Sequence, residues 1–114
     1  MEKDKLYILW TTDNKLTSLN MVLMYSLKAS KEKFWKEIRL VSWGASNVLI
    51  NEDREVQERL KEVQESGVIV KACIRCAENL GITDSLEKLG IELDFMGQPL
   101  TDCLKDDSWA IITI

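Results

Sequence analysis

Apolar residues along this chain follow two alternating patterns. Short, nearly continuous apolar runs are separated by longer stretches in which apolar residues recur every three or four positions. The first run, residues 6–12 (LYILWTT), suits a strand in a parallel sheet covered on both faces. Further strands are predicted within residues 36–44, centred on Ile38, Leu40 and Val41, and at 67–73, 91–96 and 109–114. Residues 16–30 read as a helix, with Leu16, Leu19, Leu23 and Leu27 expected on its core face. Met21, Met24 and Tyr25 make its opposite face apolar as well, which predicts a second buried surface and hence a homo-oligomer. Residues 51–66 read as a charged helix with Val56, Leu60 and Val63 on one narrow face. Ser46 is a candidate cap for a turn through Val48 to Ile50. Two short helices, 74–80 and 83–89, stop at Gly81 and Gly90, and Asp84 and Glu87 have capping-box spacing. Pro99 is tolerated in the first turn of a helix reaching Lys105, on which Cys103 shares a face with Leu100 and Leu104.

Strands alternating with helices predict an α/β fold with a mainly parallel sheet, helices on both sides and right-handed crossovers. There is no repeat, linker or low-complexity segment, so residues 1–114 read as one domain. At 46% hydrophobic and 30% charged, the composition is that of a soluble globular protein able to bury a core without staples.

Net charge is −4, and no basic run or basic-aromatic stripe is present, so neither nucleic acid nor an anionic membrane is expected as a partner. The apolar runs are too short to span a bilayer, and the first residues are too charged for a signal peptide. Three cysteines, an odd number, fit a reducing compartment, and the expected location is the cytoplasm. The absence of histidine matters most. It removes Ser-His and Cys-His pairs, His-ligated zinc and imidazole acid-base chemistry, leaving thiols, carboxylates, lysines and hydroxyls. Three thiols alone leave a zinc ligand missing, and neither GxGxxG nor GxxxxGK[ST] occurs, so no metal and no nucleotide cofactor is expected.

In parallel α/β sheets, sites gather beyond the carboxyl ends of the strands. By this rule Thr11, Thr12, Asp13, Gly44, Ser46, Lys71, Met96 and Gly97 are expected to line a pocket, although Asp13 and Ser46 read equally well as helix caps. Cys73 falls where the third strand runs into a helix. Free N–H groups there, with Lys71 and Arg75 nearby, favour a reactive thiolate. The competing reading is a small buried hydrophobe. Cys76 follows one helical turn later, which suggests a redox CxxC pair. A thioredoxin-like site also needs a cis-proline opposite the motif, and the single proline opens a helix instead.

Three segments, WGASNVLINED, VKACIRCAENLGI and LGIELDFMGQPLTDCL, together with the early strand and helix, make the chain resemble the DsrE/DsrF-like family of sulfur-relay proteins related to DsrE and TusD. The resemblance implies a three-layer α/β/α domain, flavodoxin-like in outline with a five-stranded sheet, assembled into trimers or hexamers. It also implies that a cysteine after the third strand, here Cys73, accepts sulfane sulfur from a donor protein as a persulfide and passes it to an acceptor. Cys76 is an extra thiol relative to that pattern, expected to be auxiliary or resolving. A persulfide-transferring protein is thus the first expectation. A homo-oligomeric binding module with structural cysteines and a dithiol redox protein are the alternatives.

Overall fold

Five short strands pair in parallel in the computed structural model, which describes residues 2–114. They are β1 (Lys5–Trp10), β2 (Glu37–Ser42), β3 (Ile69–Cys73), β4 (Glu92–Asp94) and β5 (Trp109–Thr113), in the order β4-β3-β2-β1-β5. Between β1 and β2 runs one unbroken helical segment: α1 (Lys15–Thr17), a π-helical stretch (Ser18–Leu23) and α2 (Met24–Lys31). Then come α3 (Ala45–Glu52), α4 (Arg54–Glu65), α5 (Ile74–Leu80), α6 (Thr83–Lys88) and α7 (Gly97–Lys105). The expected α/β architecture with a parallel five-stranded sheet is what forms.

The strand order dictates the layers. From β1 to β4 each strand is added on the same side of the one before, so right-handed crossovers place all the intervening helices on one face. After β4 the chain crosses back to pair β5 with β1, and the reversed direction puts α7 on the other face. The buried clusters record this division. Leu6, Ile8, Trp10, Leu40 and Val70 pack with Val22, Ile50, Leu60, Ala77 and Leu86 from the helices on the first face. Tyr7, Val41, Cys73 and Trp109 pack with Met96 and with Cys103 of α7 on the second. Three layers result, one of them a single nine-residue helix.

The long first helix departs from its expected face. Leu16 is 72% exposed, whereas Ser18, Val22, Leu23, Ser26 and Ala29 are buried. A π turn closes i to i+5 and so shifts the helical phase, moving the residue before it off the core face. The two serines read as polar, yet their hydroxyls are satisfied inside. The Trp10 indole N–H donates to Ser18 Oγ at 3.0 Å, and Ser26 Oγ donates to the Val22 carbonyl at 2.5 Å. Tyr25 also leaves the proposed contact face, packing on the core with its hydroxyl accepting the Trp35 indole N–H at 3.0 Å.

The charged helix expected from residue 51 is interrupted at Asp53. Asp53 takes an extended backbone and caps α4, its Oδ1 accepting the Val56 N–H at 3.0 Å, while Lys15 Nζ lies 3.0 Å from its other oxygen. Val56, Leu60 and Val63 are buried as expected. Ser46 caps nothing: it lies inside α3, whose N-cap is Gly44 at φ 83, a left-handed position that suits glycine. No capping box forms on α6, where Ile82 holds the N-cap without a side-chain bond. Strand β4 is shorter than expected, β5 lies at a sheet edge, and Leu104 is exposed while Leu100 and Cys103 pack inward.

The Val56 N–H and Lys15 hold the Asp53 carboxyl below the usual carboxylate range. A depressed folded value means that the stabilisation is present above the unfolded value and lost as pH falls through the folded one. Asp53→Asn is therefore expected to lower the urea midpoint at neutral pH and to match the wild type in acid. A difference that persists unchanged into acid would show that the charge is not what matters.

Candidate functional site

Crevices in open parallel sheets form where neighbouring strands send their following connections to opposite faces. Here that happens between β3 and β4. Strand β3 leads into α5 on the first face, and β4 leads into α7 on the second. At the carboxyl end of this pair Cys73 stands in register with Asp94. Cys73 ends β3 and is also the N-cap of α5, with extended backbone at φ −68°, ψ 117° and no side-chain capping bond. It retains 5% exposure, among Tyr7, Val41 and Met96.

Cys76, one turn into α5, is the more exposed of the pair and packs with Trp43 and Leu9 against the same cluster. Burial pushes the Cys76 thiol pKa up, and the adjoining Cys73 thiol adds to this, while the Gly44 N–H, from the loop after β2, pulls it down. At neutral pH Cys76 is thus held as a thiol. Gly44 from the loop after β2 and Met96 from the loop after β4 thus join the β3–α5 junction here.

The cations expected to assist Cys73 have other partners. Lys71 shares its face of β3, but its ammonium lies 3.7 Å from Glu92 on β4. The Arg75 guanidinium lies over the exposed Phe95 ring at 5.9 Å. Of the remaining predicted residues, Gly44 reaches Cys76 through its backbone N–H, Met96 is buried in the cluster that holds Cys73, and Gly97 follows Met96 at the start of α7. Ser46 is fully buried, donating to the Trp10 carbonyl at 2.6 Å within a network that includes Ser42 and Asn47. Thr11 and Thr12 donate through their backbone N–H groups to the Ile114 carbonyl, tying β1 to β5. Asp13 is exposed, and Asn14 rather than Asp13 caps α1, accepting the Thr17 N–H at 2.9 Å. Asp94 and Phe95 were not among the residues picked from sequence. Strand register would have found Asp94, since it lies opposite Cys73 once β3 and β4 pair.

Two broad surface clefts lie elsewhere. One, of about 510 Å³, includes Trp35, Lys36, Ser66 and Gly67 near the amino end of β2. The other, of about 590 Å³, lies between α4 and α6. Neither touches a cysteine. Among the described residues no group of three or more His, Cys, Asp and Glu side chains is placed to hold a metal ion.

A model of the DsrE/DsrF-like family matches residues 5–114, nearly the whole chain. The chain belongs to the DsrE/DsrF-like family. A solved structure with 44% identity, BT1422 from Bacteroides thetaiotaomicron, a conserved protein of unknown function, superposes with a TM-score of 0.93, over 97% of this chain and 95% of that one. YchN from E. coli, 19% identical, superposes at 0.73 over the full length of both chains. MTH1491 from Methanobacterium thermoautotrophicum, 18% identical and of unknown function, superposes at 0.75 over 96% and 98%. These last two show that the DsrE fold is shared. No curated protein matched the chain. Among the described residues no helix is long and apolar enough to cross a membrane.

Proposed function

We propose that this DsrE-like protein is a persulfide carrier of a reducing compartment such as the cytoplasm, with Cys73 as the sulfur acceptor and Cys76 as its auxiliary thiol. The supporting observation is the placement of two adjoining thiols at the β3–β4 switch point. A persulfide forms when the Cys73 thiolate attacks the outer sulfur of a donor persulfide and the donor leaves as a thiolate. The acceptor's thiolate later takes that sulfur in the same way. Neither step calls for a histidine, a metal or a nucleotide. Incubation with glutathione persulfide, desalting and cold cyanolysis tests the reading. Stoichiometric thiocyanate from native wild type or Cys76→Ser supports it, and none from either rejects it.

The 5% exposure of Cys73 favours a second reading, a binding module in which the cysteines only pack. Native-state alkylation separates the two. A carrier cysteine reacts in folded protein, whereas a packing cysteine reacts only after unfolding.

Assembly belongs to the same proposal. Leu16, Met21 and Met24 project from the first helical segment at 72%, 37% and 51% exposure, an apolar strip that a second copy of the chain would cover in a trimer or hexamer. Met24→Lys is expected to shift the light-scattering mass towards the monomer without lowering the melting temperature of the isolated chain. A wild type that is monomeric at high concentration would remove this part of the proposal.

A further inference from the structure

Cys73 and Cys76 are N-cap and third residue of the same helix, so they project from one side of its first turn. That spacing lets a disulfide close with small adjustments of a single turn. The two thiols adjoin at one buried cluster, with Cys76 beside the Gly44 N–H. Cys76, one turn along the same helix and against the same buried cluster, is thus the thiol within reach of the inner sulfur of a persulfide on Cys73.

On the carrier reading above, we infer that Cys76 discharges the Cys73 persulfide by attacking its inner sulfur, releasing hydrosulfide and leaving a Cys73–Cys76 disulfide. The bond between the two cysteine sulfurs forms as the bond to the outer sulfur breaks, and the outer sulfur departs with the bonding pair. The Cys76 proton passes to solvent. The sulfane sulfur is reduced while two protein thiols are oxidised, so the step needs no outside oxidant. A dithiol reductant then restores both thiols by exchange. The substrate class is a hydropersulfide, small or protein-borne, and the product is hydrosulfide. Because Cys76 is held as a thiol at neutral pH, discharge accelerates as pH rises and its thiolate fraction grows.

The test uses full-length wild type and Cys76→Ser, each reduced, loaded with glutathione persulfide and desalted. Hydrosulfide is then followed over time at neutral and alkaline pH, with intact mass after alkylation of remaining thiols. The wild type is expected to release about one hydrosulfide per loaded sulfur and to lose two alkylatable thiols, faster at alkaline pH. Cys76→Ser is expected to keep its added sulfur, releasing hydrosulfide roughly tenfold or more slowly. A wild type that holds its persulfide as long as the variant overturns the inference and leaves the carrier reading standing. So does fragmentation that places the outer sulfur on Cys76, the result of attack at the other atom. If neither protein takes up sulfur, both readings fall together.

Discussion

Cys73→Ser is expected to reduce sulfane-sulfur uptake to background while leaving the fold intact. A hydroxyl at neutral pH does not displace a thiolate from a donor persulfide, so loading has no remaining route through this position. The substitution is structurally mild for a specific reason. Cys73 holds the N-cap of α5 without making a capping bond, and serine is among the residues preferred there. Its melting temperature is therefore expected to equal or slightly exceed that of the wild type. Cys76→Ser should still load, which separates accepting sulfur from discharging it. Cyanolysis of desalted protein, read beside a thermal melt, checks both halves. Undiminished uptake by well-folded Cys73→Ser would move the acceptor role to another thiol.

The largest structural effect is expected at Trp10. Its side chain is completely buried on β1, the strand flanked by β2 and β5. Its indole N–H serves Ser18 in the π-helical segment, and its carbonyl accepts from Ser46 in α3. Trp10→Ala removes a large core volume and strands the Ser18 hydroxyl, at a cost of about 3–5 kcal/mol. Against a total stability of roughly 5–15 kcal/mol for an ordinary domain, that takes most or all of a modest reserve. Trp10→Phe keeps much of the volume and loses mainly the hydrogen bond and some packing, so a cost of about 1–2 kcal/mol is expected. Urea titrations of the two variants give the comparison. A Trp10→Ala cost no greater than that of Trp10→Phe would mean that the core closes around the cavity.

What could be read from the sequence, and what could not, follows from the range of the interactions involved. The strands and most helices were legible because apolar continuity and helical spacing are local, and Gly81 and Gly90 end their helices in left-handed conformations as expected. The DsrE-like architecture was legible from the order of its segments, and the family model agrees. The π turn was not, since nothing in residues 18–23 departs from an ordinary helical pattern and the buried Ser18 only makes sense beside Trp10. At the site, the strand-to-helix join and its two thiols could be placed from sequence. The diversion of Lys71 to Glu92 could not, because it depends on which strand lies next to β3. The same holds for Asp94 opposite Cys73, and for Ser46, whose burial follows from a carbonyl thirty-six residues away.

The order β4-β3-β2-β1-β5 has a consequence for synthesis on the ribosome. Strands β1 to β4 emerge in the same sequence in which they sit side by side, so each finds its neighbour already made. Strand β5 is different. Among the described residues its sheet partner is β1, in a register that begins with Lys5 against Trp109, and β1 is completed some hundred residues earlier. Throughout that interval the outer edge of β1, an apolar strand with unpaired backbone groups, is open to any other strand that reaches it. A nascent chain of this topology therefore carries a sticky edge for most of its elongation, and β5 acts as the built-in stopper that closes it.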